Sequence, residues 1–280
     1  MRLVHSIDEV RTDVRQARND GKTIGLVPTL GALHEGHLSL VRGAREQCGF
    51  VAVSIFVNPT QFRPGEDFDR YPRALRSDAK KCHDSGVDLI FAPSADEMYP
   101  ADFDSWVDVG GLTDVLEGKL RPGHFRGVAT VCAKLFNIFD PDHAYFGKKD
   151  YQQLKVIQKM VRDLSMRVQI VPCDTIRDPD GLAMSSRNAY LSADERAAAL
   201  VLNKSLQEAE KAYNSGECQA PAIQVVVEHL IKAEPTAQID YIAVVDAETL
   251  APIDEIDRPA VVLLAVTIGS TRLIDNTLLG

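Results

Sequence analysis

Residues 28–37 read Pro-Thr-Leu-Gly-Ala-Leu-His-Glu-Gly-His. Two imidazoles, His34 and His37, bracket Gly36, and both Gly31 and Gly36 let the backbone come close to a ligand. If the segment joins a strand to a helix, the histidines fall at the helix start. Free N–H groups and the helix dipole favour anions there, and imidazoles can donate hydrogen bonds to phosphate oxygens. The bland alternative is a pair of capping or surface histidines. A zinc pair is a third reading, but the two histidines stand three apart and no third ligand follows at an obvious spacing.

Other segments carry chemistry of the same kind. Asn58-Pro59-Thr60-Gln61 offers neutral amides, which suit a substrate bearing hydroxyl and carboxyl oxygens; Asn58 alone would equally suit an Asn-Pro turn. Arg121, His124 and Arg126 stand among Gly123 and Gly127 ahead of an apolar stretch, an anion-binding composition. In Gly147-Lys148-Lys149-Asp150-Tyr151-Gln152-Gln153, lysine can neutralise phosphate and Asp150 can accept from a ribose hydroxyl. Gln153 can pair with Gln61 around a carboxylate. Asp180 to Asn188 is turn-rich and bears hydroxyls and a cation, either a linker or a loop suited to closing over phosphates. No G-x-x-x-x-G-K-[ST] and no G-x-G-x-x-G after the first strand is present, so any nucleotide is held by another device.

The elements that must position these residues alternate. Ser6-x-x-Glu9 is a capping box ahead of Ile7, Val10, Val14 and Ala17, with Gly21 ending that helix. Residues 23–27 read as a buried strand, Leu38, Val41 and Cys48 as one helical face, and 50–57 as a central parallel strand. A helix over 74–83, a strand over 87–92, a helix over 128–139, a strand over 143–146, a helix over 151–164 and a strand over 168–171 follow. The expected fold is α/β: a Rossmann-like parallel sheet with helices on both faces over 1–176. A smaller C-terminal α+β domain over 177–280 has helices at 193–214 and 223–233 and strands at 240–245, 261–266 and 271–274. Ligands of such sheets sit beyond the carboxyl ends of the strands, where the loops above fall.

Bulk properties narrow the field. A net charge of −9 disfavours nucleic acid unless cations are concentrated at one place. No apolar run has membrane-spanning length and the first residues lack the apolar core of a signal peptide, so a cytoplasmic protein is expected. The five cysteines are scattered and never in a C-x-x-C pair, which argues for reduced thiols rather than disulfides or a zinc ribbon.

The string from Pro28 to His37 resembles the H-x-G-H signature of the nucleotidyltransferase superfamily, and in its full length the version found in the pantothenate synthetase family. The resemblance extends through residues 54–62, Tyr71-Pro72-Arg73, 121–147 and the terminal IGSTRLIDN, in order. Asp180 to Asn188 looks like a variant of the superfamily's mobile K-M-S-K-S loop. It implies an ATP- and Mg²⁺-dependent ligase that activates pantoate as an acyl-adenylate and passes it to β-alanine. It implies catalytic roles for His34, His37, Lys149, Ser185, Ser186 and Arg187, with His37 as proton donor. The nucleotide would further meet Leu30, Gly31, Gly36, Gly147, Lys148, Asp150, Ile176 and Met184, and the substrates Asn58, Gln61, Arg121, His124 and Gln153. A homodimer is implied too. Two positions depart from the family pattern, which usually has Glu at Lys148 and Met at Leu30; Leu keeps an apolar wall of similar volume. The rival readings are a cytidylyltransferase-like enzyme, a non-catalytic nucleotide-binding regulator, an aminoacyl-tRNA synthetase and a zinc hydrolase. The aminoacyl-tRNA synthetase reading is disfavoured by the net charge of −9 and the absence of an RNA-binding basic domain.

Overall fold

The computed structural model describes residues 1–280, which divide into two compact units. The first comprises residues 1–148 and 152–174, the second residues 149–151 and 175–280.

The first unit is built on six parallel strands: β1 (Arg2–Val4), β2 (Ile24–Thr29), β3 (Phe50–Ile55), β4 (Leu89–Phe91), β5 (His143–Gly147) and β6 (Gln169–Cys173), in the order β1-β4-β3-β2-β5-β6. Continuous apolar runs such as Phe50–Val53 form central strands because both sheet faces are covered. On one face Val27, Val51, Val53, Ile90 and Tyr145 pack with Leu40, Val41 and Ala44 of α2 (Glu35–Gln47) and Cys82 of α3 (Leu75–Asp84). The other carries α1 (Ile7–Asn19) and α6 (His124–Phe139), which meet each other and β2. Ser6 and Glu9 close the expected capping box on α1, whose buried residues are Val10, Val14 and Ala17. Two short helices, α4 (Ala95–Met98) and α5 (Leu116–Leu120), lie in the connection to α6, and α7 (Tyr151–Asp163) joins β5 to β6.

The chain leaves β2 toward β3 on one side, while β5 lies on the other side of β2. The order therefore reverses between β2 and β5, the place where open parallel sheets leave a crevice for ligands. Pro28 near the end of β2 costs no ladder bond to β5, because that pairing is already over at Leu26.

The second unit is an antiparallel sheet of β7 (Ala237–Asp246), β8 (Ala260–Ile268) and β9 (Thr271–Leu279). Helices α8 (Ala193–Asn214) and α9 (Ala220–Lys232) bury Leu202, Leu206, Ile223 and Val227 against Val262, Leu264 and Val266. Ser192 and Glu195 form a second capping box at the start of α8.

The parallel sheet with its helices and the separate α+β body agree with expectation. The differences are local. Strand β1 is added at the sheet edge. Strands β7 and β9 run several residues longer than their apolar cores. Helix α6 begins at His124 rather than at 128, so the supposed loop cations Arg121, His124 and Arg126 surround a helix start.

Within the second unit, Arg177 grips Asp275 through two hydrogen bonds, Nη1 to Oδ2 at 2.6 Å and Nη2 to Oδ1 at 3.0 Å. Asp275 is buried. Removing one partner of such a pair strands the other charge. Arg177→Ala should therefore destabilise this unit by roughly 3 kcal/mol, read from the urea midpoint of its unfolding transition.

Candidate active site

The loop after β2 delivers His34 as the N-cap of α2. His34 Nδ1 accepts from the Gly36 N–H at 3.2 Å, and His37 Nδ1 accepts from the His34 N–H at 3.3 Å. The two rings stack with centroids 4.1 Å apart. A backbone N–H can only donate, so each Nδ1 is the accepting nitrogen, and each neutral imidazole carries its proton on Nε2. The capping reading holds: the rings cap the helix, and through that each keeps its ring proton on Nε2. One expectation needs correction. The first N–H groups of α2 are not left open for an anion, because the Gly36 N–H goes to His34 and the His37 and Leu38 N–H groups bond the His34 carbonyl. A phosphate at this helix start would meet the rings rather than these backbone donors.

After β3, Asn58 is fully buried and every capacity of its amide is used. Oδ1 accepts from the Thr60 N–H at 3.3 Å, the Thr60 hydroxyl at 3.0 Å and the Tyr99 hydroxyl at 2.9 Å. Nδ2 donates to the Gly127 carbonyl at 3.2 Å and to Gln61 Oε1 at 3.1 Å. The backbone partners fix which atom of Asn58 is nitrogen, and Asn58 then fixes Gln61. Gln61 turns its oxygen to Asn58 and keeps its Nε2 as the group that can donate to a substrate carboxylate or hydroxyl. Asn58, expected to bind substrate, is instead the residue that orients Gln61, because burial leaves it no polar capacity to offer.

Arg121 and His124 need the same correction. Arg121 is paired with Glu66, Nε to Oε1 at 2.9 Å and Nη2 to Oε2 at 2.6 Å, so its charge is matched. His124 is only 9% exposed; its Nδ1–H donates to the Gln61 carbonyl at 2.8 Å and its Nε2 accepts from Arg121 at 3.2 Å. Burial first, and the adjacent Arg121 charge second, push its pKa down to about 4. His124 is a neutral strut under Gln61, not a cation, because α6 starts one turn early and carries it into the core.

Half-buried Leu30 follows β2, and half-buried Gly147 ends β5. Lys148 Nζ bonds Asp174 Oδ1 at 2.6 Å, which ties the end of β5 to the residue after β6. Gln153 is half-buried in the first turn of α7, whereas its neighbour Gln152 is buried and holds the Leu112 and Val115 carbonyls.

In the second unit, the Lys149 carbonyl accepts from Asn276 at 2.8 Å, and Asp150 is exposed with an oxygen 3.8 Å from Lys149 Nζ. The Met184 N–H bonds the Ile176 carbonyl at 3.0 Å, closing the turn through Asp180. Arg196 holds both Asp178 and Asp180 at 2.8 Å. Ser185 caps the short turn Ser186–Tyr190 by accepting from the Arg187 N–H at 3.3 Å, and its hydroxyl proton stays available to donate.

Comparison with known proteins bears on this arrangement directly. A family model described as pantoate-β-alanine ligase matches residues 2–278. The chain belongs to the pantoate-β-alanine ligase family. A pantothenate synthetase of Pelotomaculum thermopropionicum is 54% identical over all of this chain and 99% of its own length. The crystal structure of pantothenate synthetase from Thermus thermophilus superposes with a TM-score of 0.95 at 45% identity, covering 99% of each chain. The Francisella tularensis pantoate-β-alanine ligase, solved with β-γ ATP and β-alanine, gives 0.81 at 34% identity over 99% of this chain and 97% of that one. The reaction is that of the pantoate-β-alanine ligases, amide formation between pantoate and β-alanine. The cytidylyltransferase, aminoacyl-tRNA synthetase, regulator and zinc-hydrolase readings fall away.

Among the partners that hold Gln61 and its neighbours, sequence reasoning missed Tyr99 and Glu66, which carry no local signal, while Thr60 and Gly127 were named only as parts of longer strings. A Cβ at Gly127 would stand 2.4 Å from the Thr60 carbonyl oxygen and 2.7 Å from the Gln61 nitrogen, so α6 packs directly on the backbone that carries Gln61.

Gly127→Ala should displace Gln61 and raise the KM for pantoate at least tenfold, with little change in the KM for ATP; steady-state kinetics with each substrate varied decide it. For His124 the sign is set by its lowered pKa. The unfolded chain takes up the proton first, so the contribution is complete above pH 6.5 and is lost as pH falls toward 4. That difference is worth roughly 3 kcal/mol. A His124→Asn variant should lose the part of the acid destabilisation that precedes carboxylate titration, seen by denaturant unfolding at a series of pH values.

Proposed function

We propose that this ligase works in two steps on one activated intermediate, with His34 and His37 serving the nucleotide and Gln61 and Gln153 serving pantoate. A carboxylate is a poor acyl donor because its leaving group is oxide. ATP converts it to a mixed anhydride whose leaving group is AMP. The pantoate carboxylate attacks the α-phosphorus and pyrophosphate departs. The attacking oxygen is already anionic, so the step needs charge neutralisation and in-line positioning rather than a base. The observation that carries the proposal is the pair of oriented Nε2–H donors beyond β2, beside the point where the strand order reverses. They suit phosphate oxygens whose charge grows as pyrophosphate leaves, and His37 is the proton donor.

The Francisella ligase complex with β-γ ATP and β-alanine supports ATP and β-alanine as substrates of this chain. Leu30, Gly31, Gly36, Gly147, Lys148, Ile176 and Met184 are assigned to the nucleotide on family resemblance. On the same ground Lys149, Ser185, Ser186 and Arg187 act on phosphate and Asp150 on the ribose. Magnesium enters with ATP as the counter-ion of its phosphates, part of the substrate. In the second step the amine of β-alanine, once deprotonated, attacks the acyl carbon and AMP leaves. No helix is long and apolar enough to cross a membrane, and we read the working form as a cytoplasmic homodimer.

Incubation with Mg-ATP and pantoate, with and without β-alanine, tests the scheme. Pyrophosphate release should require pantoate, and sustained AMP and pantothenate formation should require β-alanine. His37→Ala and Lys149→Ala should each lower turnover by about 100-fold or more, the loss of one transition-state contact of roughly 3 kcal/mol; the unfolding midpoint should hold in Lys149→Ala and fall only by the loss of a helix cap, about 1 kcal/mol, in His37→Ala. Wild-type turnover in either variant removes that residue from the mechanism.

A further inference from the structure

The two histidines can present their Nε2–H groups only if the loop before them is held still, and that loop is not held by its own strand alone. Gly31 has φ +92° and Ala32 φ +50°, so two successive residues lie in the left-handed region, which an L side chain such as Ala32's disfavours. Something must over-determine this backbone. Asp78, in the first turn of α3 and 1% exposed, does so. Its Oδ2 accepts from the Ala32 N–H at 2.8 Å and its Oδ1 from the Leu33 N–H at 2.9 Å. One turn further along α3, Lys81 Nζ donates to the Leu33 carbonyl at 2.6 Å. Opposite, a Cβ on Gly31 would stand 3.1 Å from Ile55 Cγ2 and 3.3 Å from Asp78 Oδ2, so the loop is closed in from β3 and α3 together.

We infer that Asp78, supported by Lys81, is the positioning residue of this ligase: a buried carboxylate on α3 that sets the Gly31–Leu33 backbone and thereby aims His34 and His37. Only a carboxylate can accept from two adjacent backbone N–H groups with its two oxygens. An asparagine there accepts from one and turns its own N–H groups against the other. The inference rests on the role proposed above for His37, and the experiment separates the two.

Asp78→Asn, His37→Ala and the double variant are compared in pantoate-dependent pyrophosphate release, and the imidazole ¹⁵N spectra of wild type and Asp78→Asn are recorded. Asp78→Asn should lower kcat roughly 100-fold, the usual effect of a misplacement near 1 Å. The KM for pantoate should hold, because Gln61 is carried elsewhere. The double variant should fall well short of the product of the two single losses, since Asp78 acts in part through His37. The spectra should lose the uniform Nε2–H tautomer of His34 and His37. Unchanged spectra, wild-type kcat in Asp78→Asn, or losses that multiply in the double variant overturn the inference. Altered spectra together with wild-type turnover of His37→Ala instead overturn the role of His37. If Asp78→Asn does not fold, Lys81→Met, which keeps the aliphatic stem, takes its place in every comparison with a loss of about tenfold expected; unaltered kcat and spectra there overturn the inference equally.

Discussion

The hydrogen bonding of His34 and His37 at the start of α2 is the constraint that fixes what the loop after β2 can present to a ligand. A helix N-terminus presents backbone donors that need partners. Serine or aspartate usually supplies them, and Ser6, Ser94 and Ser192 do so elsewhere in this chain. Imidazole in that role has a side effect that a hydroxyl lacks. Accepting at Nδ1 commits the ring proton to Nε2, on the far side of the ring. The bonds that start the helix therefore also choose the tautomer, and the helix cannot form in this way while presenting the other one.

Gln61 follows the same logic from the other direction. An amide has two ends that look alike in shape and opposite in polarity. Asn58 settles the matter through groups whose polarity is not negotiable, the Thr60 N–H and the Gly127 carbonyl, while His124 holds the Gln61 backbone. Both clusters thus convert backbone hydrogen bonds into a fixed pattern of side-chain donors. Charge plays a smaller part than composition suggests. Arg121 is matched by Glu66 and His124 is neutral, so what surrounds Gln61 fixes its direction rather than adding net positive potential.

Much of the fold was legible because its signals are local. The Ser6–Glu9 box, the apolar run 50–57 and the long amphipathic stretch 193–214 each settle an element within a few residues. What failed was also local. His124 reads as a loop cation only if α6 begins at 128. Its apolar periodicity does begin there, but Gly123 allows one further turn that burial then sustains. The histidine pair was legible because two imidazoles at a strand-to-helix turn have few other reasons to stand together. The roles of Asn58, Tyr99 and Asp78 were not, since each depends on a partner between 41 and 69 positions away, and no spacing rule connects them.

The Lys148–Asp174 pair joins the ends of two neighbouring strands, and Asp174 is 85% exposed. A pair that open is worth under about 1 kcal/mol. The family pattern usually has glutamate at the first of these positions, where it would face Asp174 as a like charge. A glutamate in place of Lys148 would meet Asp174 at a site open enough to leave only mild repulsion, so this tie between two strand ends is one the sheet can lose at little cost.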